Sequence, residues 1–257
     1  MYWTALSRVL ESVHSMKPEI WRFDNANSLY YALIDRVAQE IRGITDRGRD
    51  PVVALPTGNT MIPFYRIAAE KQALLEVRKW RCFGLDEYYP ILPSQQPLSF
   101  KHYLDNHFYS KLENQPQSRN FLDGSAENFM LECERYETRI EEAGGIDLAI
   151  LGIGTNGHIA FNEPGSDFDS RTRALPLHPQ TLMANFHGEA PFTHALTMGL
   201  GTLLEAKRIL VVALGKSKAQ AVKSAIHEVP SRTLPASALQ NHPSVTWFLD
   251  QDASSFV

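Results

Sequence analysis

The sequence predicts an α/β protein built on a doubly wound, mostly parallel sheet with helices on both faces, a Rossmann-like architecture. Three observations carry that expectation. Short apolar runs such as Pro51–Pro56 (PVVALP) and Ile146–Ile153 (IDLAILGI) read as buried strands. Longer stretches with helical spacing separate them, and strands alternating with helices make a parallel sheet. At 257 residues and 44% hydrophobic, the chain can bury a large core, and one domain spanning residues 1–257 is the simplest organisation.

Taken in order, a helix near the N-terminus precedes a short strand at Glu19–Phe23 and a helix at Asn27–Arg47. After the strand at Pro51–Pro56, residues Thr60–Leu75 have helical spacing. Thr60 is placed to cap that helix, and Pro63 is tolerated in its first turn. Trp80–Leu85 is the next strand, followed by a loop carrying Pro90, Pro93 and Pro97. Helices are expected over Ser99–Leu112 and Ala126–Ala143. Ile146–Ile153 is the clearest buried strand, and the Gly-, Asn- and Pro-rich residues Gly154–Ser170 are irregular. Lys207–Leu214 is a strand, Ser217 to Glu228 a helix, and Val245–Leu249 closes the sheet.

Composition excludes several classes of function. The net charge is −4 with no block of like charge, so neither nucleic acid nor an anionic membrane is an expected partner. No apolar run is long enough to span a bilayer. Cys82 and Cys133 form no CxxC pair, which points to two reduced thiols and a cytoplasmic setting. Nine histidines include no pair at H-E-x-x-H spacing, so no metal site is expected.

Two glycine motifs resemble nucleotide sites and fail on context. Gly152-Ile-Gly-Thr-Asn-Gly157 matches G-x-G-x-x-G, but the sequence then runs into Pro164 and Gly165 instead of opening a helix. Gly215-Lys-Ser217 resembles the end of a P-loop, yet the required partner glycine is Leu210. No nucleotide or other cofactor is expected.

Ligands of doubly wound sheets sit outside the carboxyl ends of the strands. Three junctions are informative. Thr57, Gly58, Asn59 and Thr60 join a strand to a helix, where free N–H groups attract phosphate or carboxylate; an ordinary capped turn is the alternative. Asp86 and Glu87 follow the second strand, and adjacent residues of an extended chain face opposite ways. One carboxylate can serve as a general base while the other anchors structure. Asn156, His158 and Glu163 fall within eight residues after the most buried strand. An imidazole there can move a proton near neutral pH, with the acid as its partner. Lys218 could add a cation to a phosphate held by the first loop.

In order, LPTGNT (55–60), FGLDEY (83–88), GIGTNGHIAFNEPGS (152–166), SRTR (170–173), HALTMGLGTLLEAKRILVVALGKSKAQAV (194–222) and LPASALQNHPSV (234–245) resemble the glucosamine-6-phosphate deaminase family. Related 6-phosphogluconolactonases share the fold and a G-x-x-G-H core without H-I-A-F-N-E-P. The resemblance implies a small-molecule sugar phosphate as substrate, with Asp86 as the base at C2. It makes His158 the group assisting ring opening and Glu163 its charged partner. The residues Thr57 to Thr60 with Lys218 then form the phosphate cradle. Two positions depart from the family pattern. Asn156 stands where an aspartate is usual, which leaves a galactosamine-6-phosphate deaminase open beside the glucosamine enzyme. In Ala184-Asn-Phe-His187, His187 replaces a phosphate-binding arginine, and Arg173 is a possible compensating base. Leu175 replaces a basic residue of the family's allosteric site, so a monomer or small homo-oligomer is expected. A 6-phosphogluconolactonase-like hydrolase and a non-catalytic sugar-phosphate sensor are the remaining alternatives.

Overall fold

The computed structural model describes residues 18–177, 186 and 191–257. The expected N-terminal helix and His187 lie outside the described residues.

Seven strands form one parallel sheet: β1 (Glu19–Phe23), β2 (Val52–Leu55), β3 (Arg81–Gly84), β5 (Ser118–Asn120), β6 (Leu148–Gly152), β9 (Arg208–Ala213) and β10 (Val245–Asp250). Their order is β1-β10-β9-β6-β2-β3-β5. Every neighbouring pair runs parallel. The expectation that Val245–Leu249 closes the sheet is corrected: β10 lies inside it, and β1 and β5 are the edges.

The central strands are apolar throughout because both faces are covered. Val52, Ala54, Phe83, Ala149, Leu151, Val211 and Leu249 point one way. Val53, Leu55, Cys82, Leu148, Ile150, Val212 and Phe248 point the other. That period-two division defines two core layers. Helices α1 (Ala26–Thr45), α2 (Ile62–Glu70) and α3 (Phe100–His107) cover the second face. Helices α4 (Phe129–Glu142), α5 (Leu200–Leu204) and α6 (Ala219–His227) cover the first.

Helix boundaries follow caps. Asn25 accepts from the Ser28 N–H and starts α1, whose buried stripe runs Leu29, Leu33, Ile34, Val37 and Ile41. Asn128 accepts from Met130 and Leu131 N–H groups, so α4 starts at Phe129 and not at Ala126. Ser99 caps α3 as its position suggests. The expected helix Thr60–Leu75 is shorter. A 3₁₀ turn at Asn59–Met61 precedes α2, which ends at Glu70, and Thr60 lies within that turn instead of capping the helix. Likewise Lys216–Lys218 is a 3₁₀ turn leading into α6.

A second, antiparallel sheet was not expected. It comprises β4 (Asp86–Tyr89), β7 (Arg173–Pro176) and β8 (His194–Thr197), in the order β4-β8-β7. Its strands have four residues each, too short for a local periodicity to announce them, and β4 carries two acids and β7 a proline. Their apolar partners are remote: Tyr88, Phe161, Leu177, Phe192 and Ala195 form one cluster.

The chain leaves β2 toward β3 and β5, and leaves β6 toward β9 and β10. The direction of winding reverses between β2 and β6, and the crevice of such a sheet lies outside the carboxyl ends of those two strands.

Candidate active site

Four loops meet at that crevice because β9, β6, β2 and β3 are consecutive neighbours. At the ordinary interstrand spacing, the four carboxyl ends span only about 15 Å. Hydrogen bonds join the junctions in series. The Leu85 N–H donates to Leu55 O at 3.3 Å, and the Met198 N–H donates to Leu85 O at 2.8 Å. The wholly buried Asn162 donates from Nδ2 to Met198 O at 2.8 Å. The Phe161 N–H donates to Thr197 Oγ1 at 3.2 Å, and Thr197 is the cross-strand partner of Asp86. The loop after β6 is therefore tied to the strand that carries Asp86.

Asp86 and Glu87 point to opposite sides of β4, and the structure gives them different tasks. Glu87 Oε1 accepts from Tyr88 N (2.9 Å) and Phe100 N (2.8 Å), and Oε2 accepts from Lys101 N (2.9 Å). It is the anchor at the start of α3. Burial pushes its carboxyl up to about 7, against the lowering effect of those N–H groups. Asp86 is also buried, and its Oδ1 has no hydrogen-bond partner among the described residues. Burial, and then the charge of Glu87, hold the Asp86 carboxyl well above its ordinary range.

Asn156, His158 and Glu163 are brought into contact. Asn156 Nδ2 donates to Glu163 Oε2 at 2.7 Å, while Asn156 Oδ1 accepts from the His158 N–H at 3.2 Å. His158 Nδ1 lies 3.5 Å from Glu163 Oε2, a close approach without hydrogen-bond geometry. The loop is shaped to seat the imidazole. A Cβ on Gly154 would fall 2.3 Å from His158 Nδ1, so only glycine leaves room for the ring. Arg173, considered from sequence as a compensating phosphate ligand, is engaged with the loop after β6. Its Nη1 donates to Asn162 Oδ1 (2.8 Å) and its Nη2 to Ser166 Oγ (3.0 Å), holding both ends of the Glu163 turn.

The anion-binding elements come from two loops with matching geometry. Gly58 (φ +100°) follows β2 and Gly215 (φ +83°) follows β9. Each opens a three-residue 3₁₀ turn and then a nine-residue helix. Thr57 and Thr60 are half-buried, and Gly58 and Asn59 are exposed. The N–H groups of Thr57 and Gly58 donate to no acceptor among the described residues. Lys218 ends the second turn, half-buried, and burial lowers its pKa. Among the described residues it forms no salt bridge. An imidazole, a buried carboxyl group and an uncommitted ammonium thus stand on loops that follow neighbouring strands, beside open backbone donors. Asn162 and Thr197 were not singled out from sequence, because their contacts here lie 36 residues away. Gly154 belongs to the G-x-x-G-H core, but its close approach to the His158 ring shows only in the fold.

Comparison with known proteins supplies an independent finding. Residues 24–247 match the family described as glucosamine-6-phosphate isomerases/6-phosphogluconolactonase. A glucosamine-6-phosphate deaminase from Bacillus velezensis is 40% identical over 233 residues, covering 88% of this chain and 95% of the relative. A glucosamine-6-phosphate deaminase from Giardia intestinalis is 39% identical over 229 residues, or 86% of each chain. The solved structure of a monomeric glucosamine-6-phosphate deaminase superposes with a TM-score of 0.85 at 34% identity, covering 93% of this chain and all of that one. A 6-phosphogluconolactonase from Leishmania guyanensis shares the fold, with a TM-score of 0.76 at 22% identity.

Proposed function

The chain belongs to the family of glucosamine-6-phosphate isomerases and 6-phosphogluconolactonases, and on that premise we propose that it converts glucosamine 6-phosphate and water to fructose 6-phosphate and ammonia. The observation that carries this reading is the buried Asp86 carboxylate, whose Oδ1 has no partner. A lactone hydrolase has no proton to move between carbons, so it would leave that group without a task.

The phosphate lies on the backbone of Thr57 to Thr60, with the Lys218 ammonium opposite its charge. His158 transfers the proton that opens the pyranose, and Glu163 supports the imidazolium that forms. Asp86 takes the proton from C2 and returns it to C1, passing through an enolamine. Its raised pKa makes it a stronger proton acceptor than an exposed carboxylate. Water then attacks the iminium carbon at C2, and the C–N bond breaks to release ammonia. Asn156 orients Glu163 without adding a charge. That substitution favours one second reading, the galacto-configured amino-sugar phosphate. We place the reaction in the cytoplasm on the two buried free thiols, and expect a monomer, as described for the relative of known structure.

The test measures ammonia and ketose phosphate release from both amino-sugar phosphates, beside hydrolysis of 6-phosphogluconolactone. Asp86→Asn should lower kcat by at least about 10³-fold, the scale of a lost general base combined with its positioning. Full activity in that variant would remove Asp86 from the mechanism.

A further inference from the structure

The loop that the proposed function assigns to phosphate is held from behind by three tyrosines on three different helices. Tyr30 of α1 donates its hydroxyl to Thr60 O, and Tyr65 of α2 donates to Pro56 O. Tyr103 of α3 donates to Gly58 O at 2.7 Å. The acceptors are carbonyls of alternate residues, 56, 58 and 60. Among the described residues the single cis peptide is Tyr89-Pro90, so these loop peptides are trans. In a trans peptide the N–H of the next residue points opposite to the carbonyl. Drawing the Pro56 and Gly58 carbonyls toward the helices therefore turns the N–H groups of Thr57 and Asn59 away from them. Those residues are half-buried and exposed respectively, and they follow the carboxyl end of β2.

We propose that Tyr65 and Tyr103 are positioning residues for the anion site, which aim the N–H groups of Thr57 and Asn59 at the substrate phosphate, while Tyr30 braces the end of the turn, where the Met61 N–H already donates to Gly58 O. The reading rests on the proposed function, because it presumes that the loop binds phosphate. Packing alone does not account for the hydroxyls. Tyr30 and Tyr65 are buried, and phenylalanine would fill the same space. Their rings also contact one another's surroundings: Tyr65 packs on Tyr103 and Phe108, with centroids at 6.2 and 5.2 Å. The hydroxyls stay protonated donors, since burial raises all three pKa values, that of Tyr30 to about 12. A flexible glycine loop would otherwise lose binding energy in ordering itself around the anion, and holding it in place removes that cost.

Tyr103→Phe and Tyr65→Phe test the idea, each keeping the ring and deleting the hydroxyl. Steady-state kinetics on glucosamine 6-phosphate and calorimetric titration with inorganic phosphate are run on the full chain. Each variant should raise KM and the phosphate Kd together, by roughly 3- to 10-fold, the equivalent of one net hydrogen bond. The kcat should stay within about twofold, because the loop does not touch the reacting carbons. KM and Kd unchanged in both variants would overturn the clamp. A joint loss of kcat, KM and thermal stability would also overturn it, by reducing the tyrosines to structural supports. Wild-type protein that binds neither phosphate nor amino-sugar phosphate would overturn the site reading itself, a result distinct from either.

Discussion

Gly154→Ala isolates the imaging of His158 by its loop. The backbone of Gly154 is not in the left-handed region, so alanine adopts it without conformational strain. The obstacle is the imidazole. The added Cβ would lie 2.3, 2.4 and 2.6 Å from His158 Nδ1, Cε1 and Cγ, against ordinary contacts of 3.4–4 Å. The ring must retreat by about 1 Å or rotate away from Glu163, and a misplacement of that size costs on the order of 10²-fold in rate. The side chain of His158 is 30% exposed, so it has somewhere to go. The backbone bond from the Gly154 N–H to His158 O, at 2.9 Å, does not involve the new methyl. Stability should therefore change by no more than about 1 kcal/mol, a shift in Tm of about 2–4 °C. Ammonia release measured beside differential scanning calorimetry should show kcat/KM falling about 100-fold at nearly constant Tm. Activity within about threefold of the parent, with the ring displaced in a crystal structure, would refute the assignment of proton transfer to His158.

Two further outcomes follow from the buried carboxylates. Glu87 is raised from 4.5 to about 7, so the folded protein binds its proton more tightly than the unfolded chain. Its contribution to stability is complete below pH 4.5 and is lost as pH rises through about 7, on the order of 3 kcal/mol in all. Glu87→Gln should flatten the dependence of Tm on pH across that window and move the acidic limb of kcat/KM to lower pH, since the charge that raises Asp86 is gone; an unchanged slope and limb would refute the coupling. Asn156→Asp replaces the Nδ2 donor 2.7 Å from Glu163 Oε2 with a second carboxylate oxygen. The variant should lose Tm relative to the parent as pH rises through and above the ordinary carboxylate range and both groups ionise, and a pH-independent difference from the parent would show that Asn156 and Glu163 do not interact as the geometry requires.

Several features were legible without coordinates because they are local. PVVALP and IDLAILGI read as buried strands, and their alternation with amphipathic stretches pointed to a mostly parallel sheet. The fold class follows from such patterns, and the rule placing ligands at strand carboxyl ends then selected Asp86, His158 and the loop at 57–60. That Asp86 and Glu87 face opposite ways also follows from the period of an extended chain; which of them anchors α3 does not, and the hydrogen bonds give that place to Glu87. Helix starts were less secure, because Asn128 and the 3₁₀ turn at Asn59–Met61 compete with nearby residues of similar propensity.

What tertiary structure decided is everything that depends on contacts across the chain. The small antiparallel sheet exists because Asp86–Tyr89 meets His194–Thr197 more than 100 residues later, and neither segment has an apolar period of its own. Arg173 and Asn162 acquire their task in bracing the Glu163 turn only when β7 and β8 are in place. The three tyrosines behind the Gly58 loop come from three helices and share no motif. Sequence alone determined which chemistry the crevice could hold, because residue type sets acidity and donor capacity. Where those groups point, and how far their pKa values move, depends on burial and on neighbours distant in the chain, and those arise only on folding.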